Sequence, residues 1–131
     1  MNTAVVDASA LVDALLPGPD NDPVRAVLSG LGEFAGPEHL GIEVLNVLRR
    51  RDRSSPSPTL VTARRTLAEL NIRLIGLSVL HERIWDLRHT LTAYDAAYVA
   101  AAEHLHAPLI TSDQALLKHP SLRCTVTDPR G

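Results

Sequence analysis

Apolar residues along the chain fall into short runs with two different spacings. Short runs rich in Val, Ile and Leu, bounded by turn-forming residues, predict strands. They cover Thr3–Val6, Glu33–Ala35, Ile72–Leu77, Pro108–Thr111 and Cys124–Thr127. Segments whose apolar residues recur every three or four positions predict helices. They cover Ala8–Leu16, Asp22–Leu31, Glu38–Arg51, Thr59–Leu70, Ser78–Thr90, Thr92–Leu105 and Asp113–Lys118.

This order of elements predicts the fold class. Short strands that alternate with helices are typical of an α/β domain, with a central, mostly parallel sheet flanked by helices in three layers. The 131 residues, 45% of them apolar, suit a single domain spanning residues 1–131. In such sheets, ligands bind beyond the carboxyl ends of the strands. The residues that follow each strand are therefore the first candidates for a site.

Composition excludes several classes of protein. No apolar run approaches the ~18 residues that a membrane span requires, so we expect no membrane-spanning segment. The segment Met1–Asp7 has no basic region and soon reaches a carboxylate. We therefore expect no secretory signal and a cytoplasmic location. Cys124 is the only cysteine, which excludes disulfide scaffolds and Cys-ligated zinc.

Three aspartates lie where this fold would bring them together. Asp7 directly follows the first strand, and Asp113 lies just beyond the fourth. Asp95 begins an Ala-rich helix and is the only charged residue between Ala93 and Ala102. A carboxylate in that helix is expected to be partly buried, which is unfavourable unless it is paired or bound to a cation.

Glu43 is the fourth acidic candidate. On a helical wheel it lies at the flank of the apolar face, in a polar strip with Asn46 and Arg50. From that flank its side chain can reach the edge of the sheet.

Capping is the other interpretation of these acids. Asp7 or Ser9 can cap the first long helix, Thr92 and Asp95 match a capping box, and Asp113 can cap the helix after it. No lysine or arginine is adjacent in sequence to Asp7, Asp95 or Asp113. Four carboxylates gathered at one edge would repel each other and need protons or a cation. Oxygen ligands without cysteine favour Mg²⁺ or Mn²⁺, which suits the hydrolysis of phosphate esters.

Charge is distributed unevenly along the chain. Seven arginines lie between Arg49 and Arg73, against only Asp52 and Glu69, although the net charge is −2. Such a basic stripe is either a surface for nucleic acid or a pair of solvated helices with salt bridges. The four aromatic residues are too few for a base-stacking platform of the kind found in single-strand-binding domains.

Four segments resemble the acidic motifs of PIN-domain nucleases, most closely those of VapC toxins from prokaryotic type II toxin–antitoxin systems. They are Val5–Leu11, Glu43–Arg50, Thr92–Ala100 and Leu109–Asp113. The resemblance implies a PIN-like fold and an endoribonuclease dependent on Mg²⁺, with Mn²⁺ as a substitute. Such a toxin would cleave RNA, inhibit translation and growth, form a homodimer, and be silenced by a VapB-type antitoxin.

The resemblance also assigns roles to individual residues. Asp7, Glu43, Asp95 and Asp113 would be the catalytic, metal-binding acids. Ser9, Thr111 and Asn46 would support them by hydrogen bonds. Arg49, Arg50 and Arg51, on the same helix as Glu43, would hold RNA phosphates.

Two other functions are associated with an α/β domain that carries an acidic site. A signalling receiver domain needs a lysine at a strand end, but the only lysine, Lys118, lies in or after a helix, and Ser78 rather than an aspartate follows the third strand. A catalytically silent module that binds RNA or a partner protein would use the same acidic edge of the sheet. The sequence alone therefore does not exclude such a module.

Overall fold

The computed structural model describes residues 2–118 and 123–131. Its strands are β1 (Thr3–Val6), β2 (Glu33–Pro37), β3 (Ile72–Ile75), β4 (Leu109–Ile110) and β5 (Val126–Thr127). Its helices are α1 (Ala8–Leu15), α2 (Asp22–Ser29), α3 (Leu40–Ser54), α4 (Pro58–Glu69), α5 (Leu77–Asp86), α6 (Ala93–Leu105) and α7 (Gln114–Leu117). The predicted domain 1–131 also contains Met1 and residues 119–122, which lie outside the described residues.

The strands form one parallel sheet in the order β3-β2-β1-β4-β5. Strand β1 is central, with Val5 in register with Ala35 of β2 and Leu109 of β4. Because all five strands run in the same direction, their carboxyl ends share one edge. The residues that follow β1 and β4 are therefore neighbours at that edge.

Helices cover the sheet and complete the predicted three-layer α/β fold. Helix α1 contacts α2, α3 and α4, whereas α6 contacts α5 and lies along β1, β2 and β4. Seven consecutive residues of α6, Ala96–Ala102, are buried, and five of them are alanines. Their small side chains allow the helix to approach the sheet closely, which brings the start of α6 to the same edge as Asp7.

Several predicted element boundaries differ from the structure by a few residues, and two of the differences have a clear physical cause. The helix predicted from Glu38 begins at Leu40, because Glu38 still belongs to the sheet edge: its backbone N–H donates to Ile75 O, and its side chain accepts from Leu77 N. The helix predicted over Ser78–Thr90 ends at Asp86. After it, the backbone N–H groups of Thr90 and Leu91 donate to Leu87 O, so the chain turns instead of continuing the helix.

In the part of the chain that the structure describes, no helix is both long and apolar enough to cross a membrane.

Candidate active site

Asp7 is the most firmly held acid of the site. It is 5% exposed and caps α1, with Oδ1 accepting from Ala10 N at 3.0 Å and from Ser9 Oγ at 2.7 Å. Its Oδ2 accepts from Oγ1 of the fully buried Thr111. Three donors from two distant segments therefore fix both oxygens of this carboxylate.

Asp113 is connected to Asp7 through Thr111. The Thr111 hydroxyl that donates to Asp7 also accepts from Asp113 N at 2.9 Å. Asp113 caps the short helix α7, with Oδ1 accepting from Ala115 N at 2.9 Å. A second link runs from Ser112 N to Ser9 Oγ at 3.2 Å. The turns after β1 and β4 are thus joined by side chains at the shared sheet edge.

Asp95 lies in the first turn of α6 and is half-buried. Its backbone N–H donates to the capping Thr92 Oγ1 at 3.2 Å. Burial raises the pKa of the Asp95 carboxyl, and the negative charge of Asp113 raises it further. The coupling indicates that these two acids act on each other across the site.

Glu43 reaches the site from the first turn of α3 and is also half-buried. Its Oε1 lies 2.7 Å from His39 Nε2. Burial raises the pKa of Glu43, His39 lowers it, and the charges of Asp95 and Asp7 raise it. The four acids are therefore electrostatically coupled, since burial and Asp113 likewise raise the pKa of Asp7.

Basic side chains do not neutralise the three aspartates. Within residues 2–118 and 123–131, no lysine or arginine forms an ion pair with Asp7, Asp95 or Asp113, and Glu43 is paired only with His39. Capping and clustering are consequently not alternatives. Asp7 and Asp113 cap helices, as one interpretation expected, and still lie together as a set of repelling carboxylates.

The donor chemistry of this set fits a hard divalent cation. In the described residues, no three His, Cys, Asp or Glu side chains stand close enough to ligate one ion by themselves. Mg²⁺ usually keeps several waters and binds through one or two carboxylates, so it does not need such a group. The buried Tyr98 OH lacks a hydrogen-bond partner among the described residues, and the buried His39 Nε2 and Glu43 Oε1 have only their mutual 2.7 Å contact. Groups of this kind are normally satisfied by bound water or a ligand.

The other predicted residues lie at different distances from this cluster. Ser9 and Thr111 donate directly to Asp7, in the role the resemblance gives them. Asn46 is exposed and accepts from Arg49 at 3.3 Å, so its recorded hydrogen bonds go to an arginine rather than to an acid. Arg50 and Arg51 line a groove between α3 and the start of α4, and Arg49 lines a separate groove.

Two contributors were not assigned a role in the site from sequence. His39 contacts Glu43 and packs edge-on against Tyr94 and Tyr98, with ring centroids 5.6 and 5.3 Å away. His39 precedes Glu43 by four residues, and this helical spacing is the sequence signal that could have predicted their contact. Tyr98 is 2% exposed, and burial raises its pKa so strongly that the phenol stays neutral.

The chain is similar along nearly its whole length to proteins of one family. The family model of the PIN domain matches residues 4–121. Ribonuclease VapC9 of Mycobacterium tuberculosis is 39% identical over 129 residues, which cover 94% of this chain and 95% of that protein. Ribonuclease VapC1 of the same species is 36% identical over 132 residues, covering 96% and 97%.

Solved structures share the fold. A toxin–antitoxin complex from Klebsiella pneumoniae matches 96% of this chain and 97% of that chain, with a TM-score of 0.60 and 19% identity. The crystal structure of PAE2754 from Pyrobaculum aerophilum matches 88% and 84%, with a TM-score of 0.63 and 22% identity.

Proposed function

The chain belongs to the PIN domain family, and within it to the VapC-type nuclease toxins, and we propose that it is an endoribonuclease that hydrolyses phosphodiester bonds of RNA to inhibit translation and growth. One observation carries the proposal. Asp7, Glu43, Asp95 and Asp113 lie near one sheet edge and interact electrostatically, and in the described residues no lysine or arginine pairs with them. The ribonuclease names of relatives up to 39% identical support the same reaction.

We propose Mg²⁺ as the cofactor, with Mn²⁺ as a substitute, held among Asp7, Asp95, Asp113 and Glu43, with bound waters linking the ion to the carboxylates that do not ligate it directly. A bound cation of this kind activates water and stabilises charge on the phosphate. In the reaction, the hydroxide of water adds to phosphorus, the P–O3′ bond breaks, and a proton reaches the departing 3′ oxygen. The products are a 5′-phosphate and a 3′-hydroxyl.

Residues of the chain prepare the site for this step. Ser9 and Thr111 hold the Asp7 carboxylate in one orientation, so little ordering remains when the cation and RNA bind. His39 positions Glu43 through the 2.7 Å contact. The raised pKa values of Asp7, Glu43 and Asp95 reflect repulsion and burial that a bound cation would relieve.

The test is cleavage of total cellular RNA by the purified chain, free of antitoxin, with Mg²⁺ or Mn²⁺. We expect a few discrete cuts with 5′-phosphate ends, lost with EDTA and in Asp7→Asn. Asp86→Asn, an exposed acid at the end of α5, is the matched control and should cleave normally. Intact RNA in every lane, from folded protein that binds the metal, would favour the catalytically silent binding module.

Partners are a further part of the proposal. We propose that the chain forms a homodimer and is silenced by a VapB-type antitoxin. Large apolar side chains on the surface support an interface between copies: Leu74, Leu77 and Trp85 are 54%, 56% and 62% exposed. Light scattering on the purified chain, alone and mixed with a VapB-type antitoxin, measures the mass of both assemblies. A monomer at all concentrations would contradict the homodimer.

A further inference from the structure

A groove of about 650 Å³ runs beside α3, outside the acidic cluster. Its floor is apolar, formed by Leu16, Val47 and Leu60. The exposed Pro17 lies on its rim together with polar and cationic side chains, among them Asn21, Arg50, Arg51, Ser57 and Thr59. A groove rimmed by guanidinium groups and hydroxyls, with no carboxylate, has the donors that bind phosphate oxygens.

Part of the groove lining lies on the same face of α3 as Glu43. An α-helix turns about 100° per residue, so Val47, Arg50 and Ser54 lie within about 40° of Glu43 around the axis. At ~1.5 Å per residue, Arg50 is about 10 Å from Glu43 along the helix. Arg49 projects about 120° away and lines a different, more apolar groove with Leu45 and Val61. The structure thus divides the consecutive arginines between two surfaces.

Arg50 and Arg51 have no partner that would explain them structurally. Among the described residues, neither guanidinium forms an ion pair or donates a hydrogen bond, whereas Arg25, Arg73, Arg83 and Arg130 are each paired with a carboxylate. This argues against the salt-bridged helix pair as an account of the basic stripe at these two positions.

The start of α4 adds positive potential to the same groove. Helix α4 has twelve residues and begins at Pro58, with Ser57 as its cap. Ser57 and Thr59 both line the groove, so the N-terminal end of the helix dipole lies beside the two arginines.

We propose that this groove binds the phosphates of the RNA strand that flanks the cleaved bond. The inference rests on the proposed function and names the path of its substrate. RNA is favoured over an acidic peptide because Glu43 of the carboxylate cluster lies on the same face of α3, about 10 Å along the helix from Arg50. The cluster repels peptide carboxylates, whereas RNA reaches it together with a divalent cation. The apolar floor would then lie under sugars and bases.

The test is RNA binding by an Arg50→Ala/Arg51→Ala double variant, made in an Asp7→Asn background so that the RNA stays intact. The probe is a 20-nucleotide fluorescein-labelled single-stranded RNA, followed by anisotropy between 50 and 300 mM KCl. We expect Kd to rise about tenfold, and the slope of log K against log salt to fall by about 1.4, since each phosphate contact on a single strand contributes about 0.7. In the Asp7-intact protein, KM for cleavage should rise while kcat changes little.

The matched control is Arg88→Ala/Arg123→Ala, which removes two exposed arginines that do not line the groove. We expect its Kd to stay within twofold. Equal losses in both double variants would overturn the proposal, because they would reflect overall charge alone. Both variants should melt within about 2 °C of the parent, as the altered side chains are exposed.

A second probe separates RNA from an acidic peptide. Poly-L-glutamate should bind weakly to the parent and to the groove variant alike. If the groove variant lost affinity for poly-L-glutamate but kept it for RNA, the groove would belong to a peptide and the proposal would be wrong. If the wild-type chain cleaves RNA and the groove variant binds RNA normally, only this inference fails. If the wild type neither binds nor cleaves RNA, the proposed function fails with it.

Discussion

Arg130 joins three segments that surround the candidate site, and its removal is the most informative perturbation of the fold. Its guanidinium donates to Asp13 Oδ2 at 3.0 Å, Ser112 Oγ at 3.1 Å, Asn21 Oδ1 at 2.9 Å and Asp20 O at 3.3 Å. Ser112 lies between Thr111 and Asp113. We therefore predict that Arg130→Ala lowers both the stability of the domain and the order of the turn that carries Asp113.

The size of the effect follows from these contacts. The Arg130 side chain is 36% exposed and that of Asp13 23%, so the ion pair is partly screened and contributes at most about 1 kcal/mol. The three other hydrogen bonds add roughly 0.5 kcal/mol each at this exposure. The sum, about 2–3 kcal/mol, corresponds to a drop of roughly 8–12 °C in Tm at ~4 °C per kcal/mol for a domain of this size.

Thermal unfolding by calorimetry measures the loss, and two further variants separate anchoring from positioning. Arg130→Lys keeps the charge but not the planar fork, so its Tm should lie between those of the alanine variant and the wild type. Ser112→Ala removes only the bond to the Asp113 turn. We expect it to unfold within about 3 °C of the wild type but to cleave RNA several-fold more slowly in kcat.

Arg123→Ala controls for the loss of one positive charge, and its Tm should stay within about 2 °C of the wild type. The reasoning is refuted if Arg130→Ala melts as the wild type does. If that variant is destabilised but Ser112→Ala cleaves at the wild-type rate, Arg130 anchors the chain without positioning Asp113.

Three further predictions concern the acids and the core. Mg²⁺ at about 100 times its Kd should stabilise the wild type by about 2.7 kcal/mol and leave the Tm of Asp7→Asn nearly unchanged. A wild-type Tm that does not change on addition of Mg²⁺ would contradict the metal site. The folded-state pKa of Asp95 is raised above 3.8, so its charge destabilises the fold progressively as pH rises through the interval between the unfolded and folded values. In EDTA, the free energy of unfolding of Asp95→Asn, measured with urea, should thus increase relative to that of the wild type between pH 3 and pH 7. A difference between the two proteins that does not change with pH would contradict this prediction. Gly36→Ala should lower stability by about 1–3 kcal/mol, because a Cβ would meet Cδ2 of the buried Leu40 at 2.8 Å; an unchanged urea midpoint would show that Leu40 can move.

Local patterns were sufficient to predict most of the elements and part of the site. Asp7 and Asp113 directly follow strands of one parallel sheet, so their meeting depends only on strand direction. The order β3-β2-β1-β4-β5 is not local, because it is set by which faces pack together. The end of α5 at Asp86 depends on the turn around Leu87, where no proline or glycine marks the sequence.

Contacts made by long polar side chains were the least predictable part. Arg130 donates to residues 18 to 117 positions away, and no periodicity connects them. The arginine stripe is a related case. Its sequence indicates a basic surface, but only the packing of α1, α3 and α4 assigns Arg50 and Arg51 to one groove and Arg49 to another.

Capping and metal binding place compatible demands on the same carboxylates. A carboxylate oxygen can accept about two hydrogen bonds or ligand contacts. Oδ1 of Asp7 already accepts from Ala10 N and Ser9 Oγ, whereas Oδ2 accepts from Thr111 alone among the residues that the structure describes. Asp7 therefore has remaining capacity on the oxygen that Thr111 holds in place. The hydrogen bonds lower its pKa and burial raises it, so the buried carboxylate is kept fixed and ready to accept a cation, at the expense of stability when no cation is bound.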